Sequence, residues 1–245
     1  MNIRRIQNDF QIIRRGILDF LFPPYCPICG RKLKETESLI CEKCYENIKT
    51  ITSPFCERCG APLKKDRKRC EYCSQENFHF LRVRGLGFFT PPLSEMIHLL
   101  KYERKTKIAE RLGILMGNLF RSDPALSDTN IIVPVPLHPS RLRERGYNQS
   151  QLLAEEISEI TGKELMNHIV IRKKPTKSQT TLSHRERKEN LKDAFKVVSS
   201  GSVLNKTILI VDDVMTTGAT LNELAKVLKK EDAKKIYGLV LARAI

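Results

Sequence analysis

The sequence contains no tryptophan, and aromatic residues make up only 7% of its 245 positions. Because base stacking on aromatic rings contributes about 1–3 kcal/mol per base, this scarcity weakens any reading of the chain as a stacking platform for single strands. No apolar run approaches the roughly 20 residues of a membrane span, so we expect no transmembrane segment. Asp9, Gln11, Arg14 and Arg15 interrupt the first apolar stretch, and we therefore expect no secretory signal.

Acidic residues are also few, with 28 Asp and Glu against 43 Lys and Arg, which gives a net charge of +15. Residues 171–192 alone hold eight basic and two acidic residues. Such an excess favours polyanionic partners, namely nucleic acid, anionic lipid or polyphosphate ligands. A generally basic soluble surface is the alternative. The 41% apolar content is enough for a core in one large or two small domains.

Cysteine is absent after residue 73, and the eight cysteines before it form four CxxC pairs. Each CxxC turn offers two thiolates on one side of a knuckle, so four pairs predict two tetrahedral zinc sites. Disulfides are the alternative, but they require an oxidising compartment, and no secretory signal is expected. Consecutive pairing gives one site from Cys26, Cys29, Cys41 and Cys44 and a second from Cys56, Cys59, Cys70 and Cys73. A crossed pairing remains open.

The cysteine-rich segment predicts a small domain over residues 23–80, which follows residues 1–22 and precedes a larger domain over residues 81–245. It is too short to bury much core, so metal binding would supply its folding energy. Gly30 and Gly60 directly follow CxxC turns, where a knuckle requires a residue that tolerates positive φ. The segment either maintains its own shape, contacts phosphates through its basic loop, or docks DNA-uptake or recombination proteins.

Residues 1–22 place apolar side chains at steps of three and four, with arginines elsewhere on the turn, and two prolines follow. This pattern predicts an amphipathic helix that ends before Pro23. The helix either packs against the protein or a partner helix, or makes a peripheral contact with an anionic membrane surface.

Four apolar residues at 208–211 predict a strand buried on both faces, and the pattern after Thr220 predicts a helix. The turn between them can aim backbone N–H groups at an anion, and the helix N-terminus adds positive potential. The adjacent carboxylates suit sugar hydroxyls or a divalent cation. A ribose 5-phosphate would use both halves of this candidate site, which comprises Asp212, Asp213, Met215, Thr216, Thr217, Gly218, Ala219 and Thr220. A threonine helix cap with acidic neighbours is the local alternative.

Residues 131–135 predict another strand, and residues 136–148 predict a loop that carries His138, Arg141, Arg143 and Arg145. Ligands of open parallel sheets bind beyond the carboxyl ends of the strands, so this loop and the Asp212 turn can face one crevice. Arginines there could bind pyrophosphate or another polyanion bidentately. A loop closed by salt bridges to Glu144 is the alternative.

The segment ILIVDDVMTTGAT resembles the phosphoribosyl pyrophosphate (PRPP) signature of type I phosphoribosyltransferases. With PVPLHPSRLRERGYNQSQLLA and the CxxC segment, the chain resembles the ComF family of competence proteins. The resemblance implies an α/β fold, a parallel sheet flanked by helices that is preceded by a zinc-binding domain. It also implies that the acidic pair contacts the ribose 2′ and 3′ hydroxyls, that the turn binds the 5′-phosphate and that magnesium accompanies PRPP.

The span after residue 171 is basic and poor in apolar residues, so we expect it to be mobile. In the family that the signature suggests, a flexible hood lies here, and the matching positions are Lys177, Gln179, Arg187 and Asn190.

The ComF resemblance implies a role in natural transformation, namely the handling of incoming single-stranded DNA in the cytoplasm. The expected partners are single-stranded DNA and PRPP or a nucleotide. The alternative is an active phosphoribosyltransferase of unknown acceptor. Those enzymes usually continue beyond the strand at 236–242 into a loop that grips the acceptor, and this sequence has three further residues.

Overall fold

The computed structural model describes residues 23–34, 37, 39–64, 67–175, 189–199 and 201–244. The chain divides into two compact units, residues 1–47 and residues 48–245. The helix predicted over residues 1–22 and most of the predicted hood lie outside the described ranges. Within those ranges, no helix combines the length and apolar character needed to cross a bilayer.

The first unit contains one CxxC knuckle and a short helix, α1 (Glu42–Glu46). An isolated bridge between Tyr25 and Lys32 closes the knuckle, and the N–H of Gly30 donates to the carbonyl of Cys26 at 2.9 Å. Gly30 has a φ of +69°, which confirms the expected left-handed position after the turn. Leu33, Ile40 and three of the four cysteines of this unit are buried.

The second unit begins with a copy of the same motif. A bridge joins Phe55 to Pro62, Gly60 has a φ of +70° and donates to the carbonyl of Cys56 at 2.9 Å, and α2 (Glu71–Gln75) follows. The repeated geometry follows from the repeated spacing, because each knuckle is closed by its own local hydrogen bonds.

A five-stranded parallel sheet forms the centre of the second unit, in the order β1-β7-β6-β2-β3. Its strands are β1 (Arg82–Phe88), β2 (Ile131–Pro134), β3 (Glu164–Leu165), β6 (Thr207–Met215) and β7 (Lys235–Arg243). A separate two-stranded antiparallel sheet pairs β4 (Val170–Arg172) with β5 (Phe195–Val197). Residues 49–51 cover the outer edge of β1, where the N–H of Ile51 donates to the carbonyl of Leu86 at 3.0 Å.

Helices flank the sheet, as the resemblance implied. They are α3 (Leu93–Tyr102), α4 (Ile108–Ser122), α5 (Pro139–Arg145), α6 (Gln149–Thr161) and α7 (Ala219–Lys230). Helix α4 packs on β1 and β7, and α6 packs on β2 and β6. The two helices approach closely, because a Cβ on Gly113 would lie 2.4 Å from the Cβ of Glu156. Helix α7 packs on β6 and β5, and the buried apolar cluster that contains its Leu221 also contains Cys56 and Cys73.

Two predicted elements differ from the structure. Strand β6 extends four residues beyond the predicted end at residue 211, so the acidic pair lies inside a strand rather than in the turn. Pairing with β7 continues through this extension, where Asp212 lies opposite Val240 and Met215 opposite Arg243. The predicted loop at 136–148 contains helix α5, because Pro139 occupies its first turn and His138 caps it.

Candidate functional site

A cavity of about 1060 Å³ opens at the carboxyl edge of the parallel sheet. Residues from four strand ends line it: Phe89 after β1, Val135 after β2, Asp213 near the end of β6 and Ala244 after β7. Parallel strands present all their carboxyl ends on one edge, so residues distant in sequence meet there. The two loops that the sequence placed in one crevice therefore do face the same space.

Asp212 lines this cavity and is only 8% exposed. Its Oδ1 accepts hydrogen bonds from Ser150 Oγ at 2.9 Å and from the N–H of Asp213 at 3.0 Å. Burial raises the pKa of Asp212 to about 7, and the neighbouring Asp213 carboxylate contributes in the same direction. Asp212 therefore changes protonation state near neutral pH.

Asp213 is 4% exposed, and its Oδ2 lies 2.7 Å from the Nζ of Lys101 on α3. This ion pair brings a positive charge to the acidic pair and opposes the rise in the Asp212 pKa. Both residues of the pair line the cavity. The site thus combines two carboxylates with one ammonium group, which limits the repulsion that an anionic ligand would meet.

The Asp212 environment makes the stability of the protein pH-dependent. Because the pKa of Asp212 is raised in the folded state, the folded chain retains a proton that the unfolded chain releases, and the free energy of unfolding should fall as pH rises from about 4 to about 7. Urea unfolding of wild type and Asp212→Asn across this range measures the effect. The variant should lack this component, whereas a Glu110→Gln control at an exposed position should retain it. Parallel pH curves for wild type and Asp212→Asn would contradict the assignment.

Some residues of the turn after β6 line the cavity, and others are buried in the protein interior. Thr216 and Thr220 line the cavity, whereas Thr217 is buried and its Oγ1 accepts a hydrogen bond from the N–H of Ala219 at 3.3 Å. Gly218 has a φ of +82°, and a Cβ there would lie 2.6 Å from Cε of the buried Met215. A glycine is required at this position, and the N-terminus of α7 begins directly after it.

Residues of the predicted polyanion loop also differ in whether they line the cavity. His138, Arg141 and Arg145 line the cavity, and Arg143 is exposed outside its lining. Arg141 forms the salt bridge to Glu144 that the sequence offered as an alternative, at 2.9 Å. His138 Nδ1 accepts a hydrogen bond from the N–H of Ser140 at 3.3 Å, so its imidazole caps α5.

The polar lining residues that the sequence did not predict include Lys101, Ser150 and Arg172. Burial lowers the pKa of Arg172, and the Asp212 carboxylate opposes that shift. A sequence pattern could have predicted Lys101 as a site residue. Ser94, His98 and Lys101 follow one another at steps of four and three, which places them on one polar face of helix α3.

Of the predicted hood residues, Lys177, Gln179 and Arg187 lie outside the described ranges. Asn190 is described, is half-buried and does not line the cavity.

The cysteines form two clusters by consecutive pairing, Cys26, Cys29, Cys41 and Cys44 and then Cys56, Cys59, Cys70 and Cys73. Within each cluster the four sulfur atoms lie within 4.8 Å of one another. The Sγ–Sγ distances of 3.8 Å for Cys26–Cys44, 3.5 Å for Cys29–Cys41 and 3.7 Å for Cys59–Cys70 match the edge of about 3.8 Å of a tetrahedral ZnS₄ site. These are two zinc-binding sites of four thiolates each, and the crossed pairing is excluded.

Comparison with known proteins agrees with this architecture. The double zinc ribbon domain family matches residues 17–75, and the phosphoribosyl transferase domain family matches residues 148–244. Competence protein F of Haemophilus influenzae is 33% identical over 223 residues, which cover 89% of this chain and 96% of that protein. The chain belongs to the ComF family.

Another relative of this ComF-family chain is the DNA utilization protein YhgH of Salmonella typhimurium. The two sequences are 33% identical over 223 residues, which cover 90% of this chain and 90% of that protein. A solved structure similar to this chain is a purine phosphoribosyltransferase from Pyrococcus horikoshii, with 22% identity, a TM-score of 0.35, and coverage of 55% of this chain and 71% of that one.

Proposed function

We propose that this ComF-family protein handles incoming single-stranded DNA in the cytoplasm during natural transformation, and that its cavity binds a ribose 5-phosphate, either in PRPP or in a nucleotide. The observation that supports the sugar-phosphate site is the convergence of Asp212 and Asp213 with Thr216 and Thr220 around one cavity. Carboxylates accept hydrogen bonds from sugar hydroxyls, whereas threonine hydroxyls and the first amides of a helix donate to phosphate. The two acids also supply the oxygen ligands that Mg²⁺ prefers, so we expect Mg²⁺ to bind together with PRPP.

The cavity is larger than a ribose phosphate requires, since its volume is at the upper end of the usual range of about 300–1000 Å³ for whole ligands. Phe89, Ile97 and Tyr102 are among its lining residues, and Phe89 and Tyr102 are exposed. These two aromatic rings suit a nucleobase and favour a nucleotide as one ligand.

The size of the cavity also supports the second candidate, a phosphoribosyltransferase whose acceptor would bind in the same cavity. Incubating the protein with PRPP, Mg²⁺ and a panel of bases and measuring released pyrophosphate separates the two candidates. Base-dependent release would establish transfer, whereas PRPP binding without release would support a binding protein.

The proposal for DNA rests on the names of the relatives and on exposed positive charge at α5. Arg143 is exposed outside the cavity lining, so it can contact a phosphate backbone without contacting a ligand in the cavity. Affinity for single strands changes with salt by a slope of about −0.7 per phosphate contact.

We expect Arg143→Ala to weaken single-stranded DNA binding and to reduce the salt slope by about 0.7, because one phosphate contact is lost. Fluorescence anisotropy of labelled single-stranded DNA at about 50 mM and about 200 mM salt measures the slope. PRPP binding should be unchanged. Arg121→Ala, at an exposed position near the end of α4, is the matched control and should behave as wild type. An unaltered slope in Arg143→Ala would remove α5 from the DNA surface.

A further inference from the structure

A single buried arginine joins the second zinc knuckle to the turn after β6. Arg243 is the last residue of β7 and is 6% exposed. Its Nε donates to the carbonyl of Cys59, a ligand of the second zinc site, at 3.1 Å. Its Nη1 donates to the carbonyl of Met215 at 3.0 Å and also to the carbonyl of Thr216. The guanidinium therefore bonds to the zinc knuckle on one side and to the sugar-phosphate turn on the other.

Aromatic residues next to the second zinc site support the same turn. The hydroxyl of Tyr72, which lies between Cys70 and Cys73, donates to the carbonyl of Thr217 at 3.5 Å. Rings of Phe78 and Phe80 each come within 3.6 Å of the point where a Cβ of Gly218 would lie. The two rings stack with centroids 4.6 Å apart, and Tyr72 contacts Phe78 edge-on. The turn thus rests on a surface whose shape the zinc knuckle determines.

Charge gives a second reason for this arrangement. Within the described residues, no carboxylate lies within ion-pair distance of the buried Arg243 guanidinium. A Zn²⁺ ion with four thiolates carries a net charge of about −2, and the Cys59 carbonyl holds Arg243 against that site. Since buried charges need a partner, the second zinc site provides the counter-charge for Arg243.

We propose that Arg243 is a positioning residue through which the second zinc site sets the conformation of the turn after β6 (residues 215–218), which is the proposed sugar-phosphate site. Zinc at the Cys56 cluster then controls affinity for the sugar phosphate, whereas zinc at the Cys26 cluster does not. This inference rests on the proposed sugar-phosphate site, and it adds a role for a metal site whose cysteine ligands do not line the cavity.

The experiment compares the full-length wild type with three variants by calorimetric titration of ribose 5-phosphate. Cys70→Ser removes a ligand of the second site, Cys41→Ser removes its counterpart in the first, and both residues cap the short helix that follows them. Arg243→Lys retains the charge and both zinc ions but not the forked hydrogen bonds. We expect about tenfold weaker binding for Cys70→Ser and for Arg243→Lys, and unchanged binding for Cys41→Ser.

Hydrogen exchange provides a readout that does not depend on the ligand. The amides of residues 215–218 should exchange faster in Cys70→Ser and Arg243→Lys, whereas those in the centre of β7 should exchange as in wild type. Zinc content, measured in parallel, should be two ions per chain for wild type and Arg243→Lys and one for each cysteine variant.

Each outcome bears on a different claim. If wild type does not bind ribose 5-phosphate, the proposed function fails, and the exchange rates still decide whether Arg243 positions the turn. If wild type binds but Cys70→Ser and Arg243→Lys bind equally well, the inference is wrong. Equal weakening by Cys41→Ser would also overturn it. If Cys70→Ser does not fold, Arg243→Lys, which retains both zinc ions, decides the result alone.

Discussion

Replacing Asp213 with asparagine should weaken PRPP binding about 100-fold. Asparagine preserves the size of the side chain but removes the negative charge that pairs with Lys101 at 2.7 Å and that, under the proposed function, would accept hydrogen bonds from the sugar. A hydrogen bond to a charged group contributes about 1.5–3 kcal/mol, and 1.4 kcal/mol corresponds to a factor of ten, so one or two such bonds account for the loss. Calorimetric titration with PRPP and Mg²⁺ measures it directly.

Asp128→Asn is the matched control, because Asp128 also pairs with a lysine at 2.7 Å, Lys235, but lies outside the cavity lining. It should bind PRPP as wild type does. Zinc content should be two ions per chain in both variants, since neither residue contacts a cysteine cluster. Wild-type affinity in Asp213→Asn would show that the acidic pair does not hold the sugar.

The second large effect concerns the first zinc site. Cys41→Ser should unfold residues 23–47 while the parallel sheet remains folded. The described part of this unit buries Leu33, Ile40 and three of its four cysteines, which is too little apolar surface to offset the entropy of ordering the chain. Structural zinc contributes about 10–16 kcal/mol of apparent binding free energy in zinc-finger peptides, so the metal dominates the folding energy of such a unit.

Limited proteolysis followed by mass spectrometry, together with zinc analysis, measures this outcome. Cleavage should concentrate between residues 23 and 47, and one zinc ion should be lost. Lys43→Ala, at an exposed position on α1, leaves all four ligands in place and should resist protease as wild type does. A Cys41→Ser protein that loses zinc but resists cleavage in this segment would show that the unit folds without its metal.

Sequence patterns were informative where the geometry is local. The spacing of the CxxC pairs indicated the ligand types and the positive φ of Gly30 and Gly60, because each knuckle is closed by hydrogen bonds between neighbouring residues. The apolar run before Asp212 likewise predicted a buried strand, since its lack of alternation reflects cover on both faces.

Local patterns were less informative for residues whose roles depend on neighbours distant in sequence. The helix at 139–145 was predicted as a loop, because its arginine-rich sequence has no apolar periodicity and none of its residues is buried. Thr217 was predicted among the phosphate ligands but is buried, and its carbonyl accepts a hydrogen bond from Tyr72, 145 positions earlier in the chain.

By itself, the sequence determined the zinc ligands as residue types and the buried strand, acidic pair, glycine turn and helix at residues 207–230, because these follow from short-range spacing and from burial patterns along single elements. Only the tertiary structure decided which cysteines pair, that Lys101 and Ser150 contact the two acids, and that Arg243 connects the second knuckle to the turn. The physical reason is that parallel strands bring their carboxyl ends together at one edge of the sheet. Contacts at this edge therefore join residues separated by 50 or more positions, and no local sequence pattern encodes which of these residues meet.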